Sequence, residues 1–119
     1  MASNLIFFGW NRPNPGREQQ GAELYREMLH YLSKLEQQKT IQSYESILLN
    51  PNGGDLGGFF LIRGESTKLD AVQASDEWQA NIARSLVCLD RPMDVRGATG
   101  EEVRKLMGLW TQTISGVSS

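Results

Sequence analysis

Gly57-Gly58-Phe59-Phe60-Leu61-Ile62-Arg63 carries four consecutive large apolar residues between two glycines and an arginine. A short run of this kind, rich in aromatic and β-branched residues, predicts a strand buried on both faces. The segment before it, Asn50-Pro51-Asn52-Gly53-Gly54-Asp55, is turn chemistry, because Asn and Gly supply the positive φ that tight hairpins need. Ahead of that turn, residues 40–49 mix β-branched, aromatic and small polar side chains in partial alternation. That pattern predicts an edge strand with one apolar face. A second run of the doubly apolar kind, Leu5-Ile6-Phe7-Phe8-Gly9-Trp10, lies near the amino terminus and is followed by a loop rich in Asn and Pro.

Between these strands a helix is predicted from residue 17 or 18 to residue 37. At about 100° per residue, Leu24, Met28, Tyr31, Leu32 and Leu35 share one face, and Glu23, Glu27, His30 and Lys34 share the opposite one. After the third strand, Ser66 is placed to cap a short helix through Gln73. A second helical segment starts at Ser75 or Asp76, with Trp78 and Ile82 one turn apart. Residues 86–96 alternate, with Val87, Leu89, Met93 and Val95 on one face and Asp90, Asp94 and Arg96 on the other. Pro92 inside that run cannot donate to a sheet ladder, so the run predicts an edge strand or a bulge. Thr99-Gly100-Glu101-Glu102 has the spacing of a capping box. It opens a helix of about residues 100–114 with a stripe of Val103, Leu106, Met107, Trp110 and Ile114, and residues 115–119 read as a frayed tail.

The order βαββαβ plus a terminal helix predicts an α+β, ferredoxin-like domain over residues 1–119, an antiparallel sheet with helices on one face. Right-handed crossovers put the first and third strands in the middle. Phe7 and Phe8 point to opposite faces, as do Phe59 and Phe60, so helices on one side leave large apolar side chains bare on the other. Such a face predicts an interface, and the simplest partner is a second copy, sheet against sheet. The alternative is that the terminal helix covers that face within its own chain.

Composition narrows the rest. A chain of 119 residues, 39% hydrophobic and 22% charged, is one globular domain with a core of its own. A net charge of −2 gives no general attraction to nucleic acid or anionic membrane. No apolar run approaches the length of a membrane span, and the amino-terminal run is too short for a signal peptide, so a cytoplasmic location is expected by default. Cys88 is the one cysteine, and its apolar neighbours predict a buried thiol.

The strand order, the run Gly57-Gly58-Phe59-Phe60-Leu61-Ile62, and the helix from Ser66 continuing into Ser75-Asp76-Glu77-Trp78 resemble the dimeric α/β-barrel superfamily, and within it YciI-related proteins. The resemblance covers most of residues 4–96. It implies a homodimer whose sheets face each other, and a ligand cleft between sheet and helices. It leaves the reaction open, because the superfamily holds cofactor-independent monooxygenases, isomerases and haem-degrading enzymes. It also implies a His/Asp pair in the cleft, whereas His30, the one histidine here, lies on the polar face of the first helix.

With one His and one Cys no zinc-type ligand set can be assembled, and no motif implies a cofactor. Gly53-Gly54-Asp55-Leu56-Gly57-Gly58 leads into a strand, not a helix, and so is a hairpin turn and not a phosphate cradle. An RNA-recognition module shares the βαββαβ order but stacks bases on aromatics spaced two apart. Phe59 and Phe60 are adjacent, and the chain is mildly acidic. The remaining candidates for ligand binding are Trp10 and Arg12 after the first strand, Tyr44 in the second and Arg63 at the end of the third. Gathered on one rim, they would suit a small anionic or aromatic metabolite. Otherwise Arg12 and Arg63 are solvated and Trp10 and Tyr44 fill core. Two function classes follow, a dimeric binding domain and a cofactor-independent monooxygenase or isomerase.

Overall fold

Alternation along two strands sets the whole architecture. In the computed structural model, which describes residues 3–118, β1 (Leu5–Trp10) and β3 (Gly58–Arg63) pair antiparallel from Leu5 opposite Arg63 to Trp10 opposite Gly58. β2 (Ser43–Leu48) flanks β3 and β4 (Met93–Gly97) flanks β1, so the sheet order is β2-β3-β1-β4 with all neighbours antiparallel. The two doubly apolar strands are central, as expected. Because side chains alternate, Ile6, Phe8, Trp10, Phe60 and Ile62 point to one face and are buried. Leu5, Phe7, Phe59 and Leu61 point to the other and are only half-buried.

The first face is covered by α1 (Glu18–Gln37), α2 (Ser66–Ala74) and α3 (Asp76–Cys88). α1 buries the predicted stripe of Leu24, Met28, Tyr31, Leu32 and Leu35, while Glu23, Glu27, His30 and Lys34 face solvent. Ser75 caps α3 by accepting the Trp78 N–H at 3.3 Å. Ser66, by contrast, is the first residue of α2, and Glu65 holds the cap position without a side-chain bond. Trp78 is wholly buried, edge-on to Phe8 at 6.1 Å, and its Nε1 donates to Asp94 Oδ2 at 2.9 Å. Arg96, next on the same face of β4, donates to Asp70, Gln73, Ser66 and the Ser3 carbonyl, tying the sheet edge to α2.

Three further expectations are corrected. Residues 86–96 are not one strand. α3 runs through Cys88, and β4 begins only at Met93, with Pro92 outside it. The buried face of α3 is Trp78, Asn81, Ser85 and Cys88, spaced for a helix, whereas Leu86 and Val87 lie on its exposed side. Second, the terminal helix α4 (Glu101–Ser118) continues through the residues read as a tail; Ser119 lies outside the described residues. Third, Thr99 closes no capping box. Its N–H and C=O both bond the side chain of Asn4, and Gly100 makes the bend into α4 with φ of 64°.

α4 does not cover the second sheet face. It belongs to none of the closely packed element pairs, and Val103, Met107, Leu109 and Trp110 on it are exposed. The second face therefore stays open. Leu5, Phe7, Phe59 and Leu61 fill its middle, with Ile47, Met93 and Val95 beside them. Phe7 and Phe59, on neighbouring strands, stack at 5.1 Å. The open face thus carries an aromatic pair that adjacent positions in one strand did not disclose. Its surroundings are aliphatic, and Arg63 at one end is held by Glu45 at 2.6 Å.

Candidate functional site

Small residues on the first turns of α1 leave room over the sheet. Gly21 is buried, and a Cβ on it would already touch Pro13 and Leu89, while Ala22 beside it is exposed at the mouth of the gap. The gap is a cleft of about 280 Å³ with an almost wholly apolar lining. Its aromatic wall is Trp10, Tyr25 and Phe60. Tyr25 stacks on Phe60 at 5.5 Å, and Trp10 lies 5.6 Å from Phe60 and 6.1 Å, edge-on, from Tyr25. The Tyr25 hydroxyl pairs with the Ser46 hydroxyl of β2, which fixes the ring against the sheet. Glu18 and Arg26, both exposed, provide the charged groups of the lining.

Of the four residues proposed from sequence, Trp10 alone lines this cleft. Tyr44 is on the same sheet face, but it pairs with Ile62, two rows from the Trp10–Gly58 end, and packs on the core. Arg12 is exposed beside a neighbouring polar concavity formed with residues 49–57. Arg63 lies at the opposite end of the sheet and on the open face. The four are not brought to one rim, because antiparallel pairing of β1 and β3 sends their carboxyl ends in opposite directions. Tyr25, Phe60 and Arg26 were missed. The available signal was the Gly21-Ala22 pair one turn before an aromatic residue, a place where a packed helix thins.

Cys88 is buried, and its thiol donates to the Arg84 carbonyl at 3.2 Å. Burial pushes its pKa up, partly offset by Arg84 and Arg17. A raised pKa means less thiolate at any given pH, so the folded protein should react with a disulfide reagent at pH 8 about tenfold or more slowly than the unfolded chain. Equal rates would show that the thiol is open to solvent.

Among the described residues, no three His, Cys, Asp or Glu side chains gather where a metal ion could be held, and no helix is long and apolar enough to cross a membrane. Comparisons of the chain with known protein families, with curated proteins and with solved structures find no match.

Proposed function

We propose that this chain is a ferredoxin-like, homodimeric small-molecule-binding protein, and that its ligand is a compact aromatic or apolar metabolite with one polar or anionic end. The observation that carries the reading is the cleft between α1 and the sheet. At about 280 Å³ it is roughly twice the ~150 Å³ that accommodates a benzene ring in an apolar cavity. Tyr25, half-buried and stacked on the buried Phe60, offers an aromatic surface for a ring beside Trp10, and Arg26 offers a guanidinium to its polar end. Burying about 200 Å² of apolar ligand surface contributes about 5 kcal/mol, so affinity in the micromolar to millimolar range is expected.

The strand order β2-β3-β1-β4 and the helices on one face support kinship with dimeric α/β-barrel proteins, the YciI-related ones among them. The open apolar face supports a second copy of the chain as its cover. Binding is preferred over cofactor-independent oxygenation or isomerisation because the one hydroxyl in the aromatic wall, that of Tyr25, is engaged by Ser46.

An aromatic anion, 1-anilinonaphthalene-8-sulfonate, tests the site. Read in Trp110→Phe, which removes the one exposed indole, it should quench Trp10 emission on binding, and adding Ala22→Phe, which grows into the cleft from an exposed helix position, should weaken it about tenfold. Unchanged affinity in Ala22→Phe, or probe binding without Trp10 quenching, would move the site elsewhere.

A further inference from the structure

We propose that α4 is an intersubunit arm, its apolar stripe seated across the open sheet face of a second copy of this chain. The inference rests on the homodimer reading above and specifies what makes the contact. It begins from surface. A compact monomer of 13.3 kDa exposes about 6,500 Å², whereas this chain exposes 7544 Å². The excess, about 1,100 Å², exceeds the ~800 Å² that each partner contributes to a stable interface. The radius of gyration is 16.5 Å, against about 13.5 Å for a compact chain of this length.

The excess has an identifiable source. α4 leaves the sheet edge at Gly100 and packs closely against no other element, yet Val103, Leu106, Met107 and Trp110 fall within about 100° of one another around its axis. Trp110 is 52% exposed, while the other two tryptophans are buried. A solvated helix of this sequence is not stable on its own. It contains Gly108, Gly116 and a series of β-branched residues, all of which lower helix propensity, and helices in proteins draw most of their stability from packing an amphipathic face. Its helical form implies a packing partner.

The open sheet face has the matching need. Ile47, then Phe59 and Leu61, Phe7, and Val95, on β2, β3, β1 and β4 in turn, present an apolar surface four strands wide, about 19 Å across the sheet. α4 has 18 residues, about 27 Å of helix, enough to span it. Exchange of arms between two copies covers both surfaces reciprocally with one two-fold contact.

Sedimentation of the unmodified chain from about 1 to 100 μM should report a dimer. Phe7→Glu on the sheet and Trp110→Glu on the arm should each raise its dissociation constant at least about thirtyfold. Because both variants could be questioned on folding, Trp110 emission in the unmodified chain is read as well. It should be blue-shifted in the dimer and move red on dilution, and Trp110→Phe should abolish that movement. A dimer lost in Phe7→Glu but untouched by Trp110→Glu overturns the arm and leaves the sheet-face dimer standing. A monomer at every concentration overturns both. If Trp110 is blue-shifted in that monomer, α4 has folded back on its own sheet; if the monomer binds single-stranded RNA and Phe7→Glu abolishes the binding, the open face is a base-stacking platform.

Discussion

Trp78→Ala is expected to remove about 4 kcal/mol of folding stability, the usual cost of deleting a fully buried large aromatic side chain. Three links support so large a value. Ser75 fixes the start of α3 by accepting the Trp78 N–H, so the backbone cannot readily shift to fill the hole. The indole is fully buried against Phe8, a residue of the central strand, so the cavity opens in the middle of the core. Its Nε1 also donates to Asp94 on β4, the only direct bond from α3 to that edge strand given by an aromatic side chain among the described residues. Natural domains are stable by roughly 5–15 kcal/mol, so the variant should be near the limit of folding. Trp78→Phe separates the contributions. It keeps most of the packing and loses the Asp94 bond, for about 1 kcal/mol. Urea unfolding at a fixed protein concentration measures both. A loss below about 2 kcal/mol in Trp78→Ala would mean that the helix layer collapses into the vacancy more easily than its cap allows.

The elements that could be read from sequence are those whose burial and periodicity agree. β1 and β3 are continuous apolar runs, and α1 has an apolar stripe with a charged back, so their positions and the central place of the two strands followed directly. The failure at residues 86–96 has a definite cause. Half the buried face of α3 is polar, Asn81 and Ser85, while Leu86 and Val87 are exposed. A hydrophobic pattern cannot find a helix whose inner face is part polar and whose outer face is part apolar. What remains of the run, Met93-Asp94-Val95-Arg96, does alternate as expected, but its polar residues face the helices because Trp78 and α2 supply them with partners.

The candidate site was harder still, because it depends on strand direction and not on residue type. Grouping Arg12 and Arg63 treated the ends of two strands as neighbours, and only the register separates them by the length of the sheet. Trp10 was recoverable because it is the last aromatic of a central strand, where the sheet ends and a helix begins to cover it. Its partners are Tyr25 of α1, 15 residues later in the chain, and Phe60 of β3, a juxtaposition that no local spacing encodes.

Gly57→Ala is the second large expectation, and it joins stability to the cleft. Gly57 lies just before β3, where the hairpin from β2 returns past the end of β1. A Cβ built there would fall inside the contact distance of the Asn11 carbonyl oxygen. Neither side can yield cheaply. Gly57 donates its N–H to the Trp10 carbonyl at 2.8 Å, and its own carbonyl accepts from Leu49 N–H at 2.9 Å. Asn11 is held in turn, its N–H donating to the Asp90 carbonyl at 2.9 Å and its side chain to the Asp90 carboxylate at 2.7 Å. Relief of the clash must break one of these backbone bonds or displace the end of β1, at a cost of about 3 kcal/mol. Moving the end of β1 moves Trp10, so the same substitution should weaken binding of the aromatic anion, whereas Gly53→Ala, which meets nothing in the same hairpin, should leave both properties unchanged. Denaturation and probe titration of the two variants side by side decide it. A loss below about 1 kcal/mol in Gly57→Ala, with probe affinity intact, would show that the hairpin and the end of β1 move independently, and that the wall carrying Trp10 is not held by the turn.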